Sequence, residues 1–374
     1  MHPLTGEYPL TQLERVVFGA GSIARLGDEL PRLGVARAVV VTGRTLGASP
    51  LLERVTSALG AGCVHVFTGA SQHVPSAAVA ALTHALETNR GDCLVSFGGG
   101  SPIDTAKAAI NRRLQAAGSG GALPHIAVPT TLSAGEFTGV AGVTDEGSLV
   151  KHATVDRRLA PRVVVLDPEL SVATPPWLWA ASGMRAVDHA VETLYASHRH
   201  PVSAALATHA LAALVAHLPA SVEADALTHR LQCQTAAWMS VQGLAYAGLG
   251  LSHALGHQIG PRWNIAHGVT SCITLPHAMR AVAGRVPERF AVMAAALGVA
   301  FDAADPAPGA QACADAVAAL VSRLGLPARL SEVGVPRDEL GAVAAVVHDV
   351  MTRHPRVGLE VSRDEVAAVL AAAY

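Results

Sequence analysis

Leu94-Val-Ser-Phe-Gly-Gly-Gly-Ser-Pro-Ile-Asp-Thr-Ala-Lys107 decides the fold class of this 374-residue chain. The apolar run from Cys93 to Phe97 stops at Gly98-Gly99-Gly100, and a helical pattern begins directly after it, over Ser101 to Gln115. Glycines let a backbone approach a ligand where a Cβ would clash. Ser101 suits a helix cap and Pro102 a first turn. The free N–H groups and the dipole of such a helix start favour a pyrophosphate. The bland alternative is an ordinary tight turn between strand and helix, which a glycine triplet alone does not exclude. Asp104 and Lys107 make the string more specific, and it differs from the G-x-G-x-x-G fingerprint.

Outward from this stretch the same alternation continues. Ala38 to Thr42, Val64 to Phe67 and Ile126 to Val128 read as strands; Leu51 to Leu59 and Ser76 to Glu87 read as helices. Such alternation predicts an α/β domain with a mostly parallel, Rossmann-like sheet covered on both faces. Pro129-Thr130-Thr131 ends one strand, and Ser133 to Thr138 forms a polar turn. Thr130 and Thr131 either border the crevice at the carboxyl ends of the strands or simply form the turn. Past Asp167-Pro168 strand-like runs become rare and alanine-rich helical periodicity continues to Tyr374. The expectation is two domains, α/β over 1–168 and all-helical over 169–374, with the cleft between them as the default ligand site. Gly118 to Gly121 and the Pro/Ala-rich Ala303 to Ala310 read as loops.

Composition narrows the function classes. Apolar residues make up 51% and charged residues 15% of the chain, so much of it is interior. A formal net charge of −2 without a basic block argues against nucleic-acid or membrane-surface binding. Five scattered cysteines without a C-x-x-C suit reduced thiols in the cytoplasm, and the N-terminus lacks the apolar stretch of a signal peptide. Two uncharged runs, 200–222 and 231–261, are long enough to span a bilayer. The glutamines, serines and histidines of the second would be costly in lipid, so buried helices of a helical domain are expected instead.

The chemistry concentrates in Gly183-Met-Arg-Ala-Val-Asp-His-Ala-Val-Glu192, Leu251-Ser-His-Ala-Leu-Gly-His257 and Ala266-His-Gly268. His189 follows Arg185 by four residues and His257 follows His253 by four, so each pair shares a helix face. His267 comes after a Gly260-Pro261 break and can return to the same pocket. Imidazoles from separate helices are a usual first shell for a divalent cation, which also wants a carboxylate or water. A single histidine is more often a bonded core residue, the reading adopted for His65, His125, His209 and His217. The cluster of His189, His253, His257 and His267 reads as functional.

In order along the chain, Phe18-Gly-Ala-Gly21, Val40-Val-Thr42, Gly98 to Ser101 with Asp104 and Lys107, Pro129-Thr-Thr131, Asp167-Pro168, Gly183 to Glu192, Leu251 to Gly268 and Leu275-Pro-His277 make the chain resemble the iron-containing (group III) alcohol dehydrogenases over nearly its whole length. The resemblance implies a dehydroquinate synthase-like fold, with a nucleotide-binding α/β domain and an all-helical domain, and hydride transfer between NAD(P)H and a carbonyl or alcohol. In metal-dependent members an aspartate and three histidines hold Fe²⁺ or Zn²⁺. The histidines match His189, His253 and His267, but Arg185 stands at the aspartate's position. His257 matches a further histidine near nicotinamide and substrate, and Lys151 resembles a lysine near the nicotinamide. Gly43-Arg44 stands where some relatives place an acidic residue that disfavours NADP, which leaves both NAD and NADP open.

Arginine stays protonated and cannot ligate a cation. Asp188 directly precedes His189 and would point about 100° away from it on an ideal helix. Weak or absent metal binding follows. The altered position and the shortened turn after Thr131 resemble the metal-independent maleylacetate reductase branch, whose substrates are unsaturated oxo-dicarboxylates. The expected function is therefore an NAD(P)H-dependent, metal-independent reductase of a small anionic oxo-carboxylate. In it His257 or His253 donates a proton, Arg185 holds a carboxylate, and Lys151 assists. Gly43, Arg44, Gly98, Gly99, Gly100, Ser101, Asp104, Thr130 and Thr131 hold the cofactor. Arg185 could instead merely pair with Asp188 or another acid. Two other functions stay open: a metal-dependent alcohol dehydrogenase, and a non-redox lyase, cyclase or binding protein on the same fold. Relatives are often dimers, and a homodimer is expected.

Overall fold

The computed structural model describes residues 7–8, 10–117, 121–144, 151–197, 199–223, 225–244, 248, 250–353 and 360–374. The chain divides into two compact units, one over Leu10–Thr174 and the other over Pro175–Tyr374, the second also taking in Tyr8.

The first unit is built on a parallel sheet. Its strands are β1 (Arg15–Phe18), β2 (Ala38–Val41), β3 (Cys63–Phe67), β4 (Cys93–Gly98), β5 (His125–Pro129) and, after the hairpin strands β6 (Val140–Thr144) and β7 (Lys151–Val155), β8 (Val163–Leu166). Among the described residues the sheet order is β1-β8-β5-β4-β2-β3, with every neighbour parallel. The central strands are apolar on both faces because both faces are covered. Val40, Val95, Phe97, Val128 and Val165 pack with Leu26 and Leu30 of α1 (Leu26–Leu33) and, past the short α2 (Arg44–Gly47), with Val55 and Leu59 of α3 (Pro50–Leu59). Val39, Val41 and Leu94 face the other way, onto Leu82 and Leu86 of α4 (Ser76–Thr88) and Ala106 and Ile110 of α5 (Gly100–Ala117). Each buried valine or leucine contributes roughly 1.5–3 kcal/mol.

The order reverses between β2 and β4, since β3 follows β2 on one side while β5 follows β4 on the other. Ligands of open α/β sheets bind outside the carboxyl ends of the strands at such a reversal. Gly43 and Arg44 follow β2 there, and the glycine triplet follows β4.

Four details differ from the sequence reading. Helix α5 begins at Gly100, so Ser101 lies inside its first turn and is not the cap. β6 and β7 form an antiparallel hairpin that the alternation did not suggest. Strands β1 and β8, four residues each, were too short to stand out. Much of the expected loop at 303–310 is helical, because prolines are tolerated in a first turn: Pro306 opens a helix running to Arg323. The loop expected over Gly118 to Gly121 falls mostly outside the described residues.

The second unit is helical: α6 (Pro176–Tyr195), α7 (Pro201–His217), α8 (Leu227–Ser240), α9 (Leu251–Arg262), α10 (His267–Ala283), α11 (Ala291–Ala294), α12 (Pro306–Arg323), α13 (Leu340–Arg353) and α14 (Arg363–Ala372). Residues Trp179 to Tyr195 of α6 are all buried, and the helix packs on α7, α8 and α10. A helix buried all round needs a partner for each polar side chain it carries. The two long uncharged runs are divided among α7, α8 and α9, and no described helix is long and apolar enough to cross a membrane.

Candidate active site

The glycine triplet is shaped by its backbone. Gly98 has φ +138°, a conformation that side-chain-bearing residues rarely adopt, and a Cβ there would lie 2.9 Å from Pro102 Cγ. At Gly99 a Cβ would meet Thr131 Cγ2 at 3.0 Å. The adjacent turn is tied to it: Thr130 N–H donates to the Gly98 carbonyl (3.0 Å), and Thr131 Oγ1 lies 3.3 Å from Ser133 Oγ. Gly98, Gly99, Gly100, Ser101, Thr130 and Thr131 thus gather around one corner of the sheet, with Asp104 one turn along α5. The bare backbone at this corner could hold a pyrophosphate-bearing cofactor. Arg44 is exposed at the start of α2, and Gly43 precedes it in extended conformation.

Lys107, read as part of the cradle string, has a different job. Its buried ammonium donates to the carbonyls of Gly135 (2.5 Å) and Val140 (2.9 Å) and lies 3.3 Å from Thr138 Oγ1. It pins the loop after β5 and is not available to a phosphate. Sequence reasoning also missed Glu136 in this loop. The Glu136 side chain is buried, its Oε2 has no hydrogen-bond partner, and burial raises its pKa to about 7 against the pull of Lys107. Lys151 opens β7 opposite Thr144, and its side chain is outside the described residues.

The histidine cluster lies in the helical unit. Arg185, Asp188, His189 and Glu192 project from the middle of α6, His253 and His257 from α9, and His267 and Ser271 from α10. His189 stacks on His253 with ring centroids 5.0 Å apart; His257 sits edge-on to both His253 (6.2 Å) and His267 (5.5 Å). His253 and His189 are buried, whereas His257 is exposed. Of the histidines read as structural, His125 is buried against Ser96 Oγ (2.8 Å), His217 meets His229 (2.9 Å between Nδ1 atoms), and His209 is exposed on α7.

Two carboxylates one helical turn apart organise the back of the cluster. Glu192 accepts the backbone N–H groups of Gly250 (2.6 Å), Ser252 (2.8 Å) and His253 (3.3 Å) and the Tyr195 hydroxyl (3.0 Å). It therefore caps α9 from another helix and complements the dipole of its N-terminus. Its Oε2 also lies 2.7 Å from His253 Nδ1, an ion-pair contact without the alignment of a straight hydrogen bond. Asp188 Oδ2 accepts from the hydroxyls of Ser271 (2.6 Å) and Ser252 (3.0 Å), and Oδ1 is 3.4 Å from His253 Nδ1. Asp188 does not point away from the cluster as ideal helix geometry suggested. It reaches one edge of His253 while His189 lies across that ring's face.

Arg185 is held by this wall. Its Nη1 donates to Ser271 Oγ (3.1 Å) and lies 3.5 Å from Asp188 Oδ2; its Nη2 is 3.5 Å from His257 Nε2. Burial lowers its pKa, but a guanidinium remains cationic at working pH. Burial, followed by the positive neighbours His253, Arg185 and His257, holds His189 well below the ordinary histidine range, so it is neutral. For His253 burial and Arg185 press the same way, but Asp188 and Glu192 outweigh them and raise its pKa. The cluster thus contains one fixed cation, one imidazole inclined to hold a proton, and one neutral imidazole. His253 Nε2 and His189 Nδ1 are buried without a hydrogen-bond partner.

Asp188, Glu192 and His253 each bring a potential ligand atom within 4.8 Å of the others. Three of the four carboxylate oxygens already accept hydrogen bonds from serines or backbone amides, and both carboxylates lie against His253 Nδ1. Glu192, Ser252 and Ser271 were not singled out from the sequence. The spacing of Asp188 and Glu192, one turn apart on a helix rich in alanine and valine, was the available signal.

Comparison with known proteins supplies the remaining observations. Residues 14–168 match the iron-containing alcohol dehydrogenase family, and residues 179–374 match the C-terminal region of the Fe-containing alcohol dehydrogenase family. The maleylacetate reductase of Burkholderia cepacia is 34% identical over 374 residues, covering 97% of this chain and 96% of its own. The crystal structure of maleylacetate reductase from Agrobacterium tumefaciens has a TM-score of 0.84 at 28% identity and covers 100% of this chain and 99% of its own. The structure of a 1,3-propanediol oxidoreductase has a TM-score of 0.91 at 27% identity, covering 99% and 100%.

Proposed function

The chain belongs to the iron-containing alcohol dehydrogenase family, and from that premise we propose that it is an NAD(P)H-dependent, metal-independent reductase of a small oxo-carboxylate of the maleylacetate type. It is an oxidoreductase resembling maleylacetate reductase. The observation that carries the finer reading is Arg185, a permanent cation held among His189, His253 and His257 by Ser271 and Asp188.

A divalent cation does not fit this donor set. His189, His253 and His267 could supply imidazole nitrogen, but the fourth position that should bring negative charge brings a guanidinium. Its fixed positive charge repels a cation. The same charge suits an anionic substrate, because arginine recognises carboxylates through charge-assisted hydrogen bonds.

The cradle at Gly98, Gly99, Gly100 and Ser101, with Asp104, Thr130, Thr131, Gly43 and Arg44, would hold the dinucleotide. When bound, a reduced nicotinamide supplies the hydride. Arg185 Nη2 would fix a substrate carboxylate and stabilise charge developing on the substrate. His253 would hold the proton needed to neutralise that charge, kept on the imidazole by Asp188 and Glu192, with its unpartnered Nε2 as the donating atom. The exposed His257 would take that role if the substrate lies on its side of Arg185. Lys151 is proposed near the nicotinamide on family resemblance alone. Arg44, with no carboxylate beside Gly43, favours a 2′-phosphate and hence NADPH. The protein is proposed to act as a homodimer and to reside in the cytoplasm, the latter in keeping with its five free cysteines.

The test is oxidation of NADH and NADPH by the purified protein with maleylacetate, before and after exhaustive chelation. Turnover unchanged by chelation is expected. Turnover lost on chelation and restored by iron or zinc would instead return the metal-dependent alcohol dehydrogenase. Cofactor binding without turnover would leave a non-redox role.

A further inference from the structure

We propose that Asp188 is the positioning residue that turns Arg185 into a substrate-carboxylate anchor, an inference that rests on the oxo-carboxylate reading above. A carboxylate can only accept hydrogen bonds, whereas a serine hydroxyl has a single proton to give. Ser271 gives its proton to Asp188 Oδ2 at 2.6 Å, so toward Arg185 Nη1 it can only accept, which it does at 3.1 Å. Ser252 likewise spends its proton on the same oxygen at 3.0 Å. The direction of the chain, Arg185 to Ser271 to Asp188, is therefore fixed by the acceptor-only end.

The consequence for Arg185 is geometric. Its Nη1 edge is tied to the wall formed by Ser271 and Asp188, and among the described residues Nη2 meets only His257 Nε2, at 3.5 Å. Nη2 is the nitrogen left for a ligand, on the side of the exposed His257. Asp188 itself is fully buried behind the guanidinium and touches no ligand. Without it Ser271 could rotate its proton toward Arg185, and the guanidinium would lose the partners that hold it.

Charge and positioning predict opposite signs, which makes the test decisive. If Asp188 acted only as a nearby negative charge, removing it would strengthen anion binding. If it positions Arg185, removing it weakens anion binding, by roughly tenfold or more for a charge-assisted contact. Binding of malonate by calorimetry, with no turnover required, separates the two for the intact protein and for Asp188→Ala, which removes both the charge and the acceptor. Weaker malonate binding is expected, with a higher KM for maleylacetate and an unchanged dissociation constant for NADPH. Tighter or unchanged malonate binding overturns the inference. Ser271→Ala keeps the charge and cuts the chain, and it carries the test if Asp188→Ala does not fold: it too should weaken malonate binding, and no change sinks the idea. Arg185→Ala separates this inference from the reading beneath it. If Arg185→Ala leaves malonate binding intact, the oxo-carboxylate reading fails. If it abolishes binding while Asp188→Ala does not weaken it, only the positioning role fails.

Discussion

Arg185 lies at the histidine cluster, 3.5 Å from His257 Nε2, and its substitution should reset the chemistry there. Arg185→Asp gives His189, His253 and His267 the carboxylate that a cation requires. We predict that this variant takes up zinc or iron in stoichiometric amount, read by elemental analysis after dialysis; failure to bind either would mean that the three imidazoles do not converge as a ligand set. Arg185→Ala should raise KM for maleylacetate by an amount corresponding to roughly 2–5 kcal/mol, the usual cost of truncating a desolvated charge pair. The affinity for NAD(P)H should not follow. At this scale the sequence was informative about identity and poor about partners. Arg185 and the four histidines announce themselves by type and spacing. Ser252, Ser271 and Glu192 do not, because a serine or a glutamate in a helix acquires its role only from which faces of α6, α9 and α10 meet.

Two helix starts do most of the organising at the scale of elements. The start of α5 is bare backbone with positive φ at Gly98, and the start of α9 is capped by the Glu192 carboxylate. Gly99→Val would drive branched carbons into Thr131, at a cost of roughly 1–3 kcal/mol. We predict a matching loss of NADPH affinity in a fluorescence titration, with malonate binding retained; equal affinity would remove the triplet from the cofactor site. Glu192→Ala would strand several buried donors and one edge of His253. A drop in stability of roughly 3–5 kcal/mol is expected in thermal melts, in line with the breaking of a buried ionic contact. Glu192→Gln should recover part of it, because the amide oxygen can still accept. The strand–glycine–helix unit was readable because three local signals coincide over fourteen residues. The β6–β7 hairpin was not: its pairing is non-local, and five-residue strands such as Val140–Thr144 carry no period that separates them from a loop.

For the molecule as a whole, buried titratable groups set how stability depends on pH. Glu136 has its pKa raised by burial from 4.5 to about 7. Between those values the folded chain keeps a proton that the unfolded chain has released, so this group lowers stability as pH rises through the window. His125 acts in the opposite sense. Burial lowers its pKa from 6.5 to about 3, the unfolded chain binds the extra proton in that range, and stability falls as pH drops through it. Glu136→Gln isolates the first effect: it should raise stability at about pH 8 by up to roughly 3 kcal/mol, with little change near pH 4. A uniform shift at both pH values would mean that packing, and not ionisation, is responsible. The sequence conveyed the α/β-then-helical order of the whole chain, since the change in period past Asp167 spans many residues. It conveyed no pH dependence, because neither Glu136 nor His125 differs in sequence from an exposed residue of the same type.

In the proposed function a guanidinium takes the place of a metal ion in a reductase of this family. Maleylacetate-dependent NADPH oxidation, measured on one sample before and after exhaustive chelation with its metal content determined in parallel, tests this most directly. Turnover that chelation leaves unchanged is expected, with metal well below one ion per chain. Activity that disappears with the metal and returns when iron or zinc is added would contradict it.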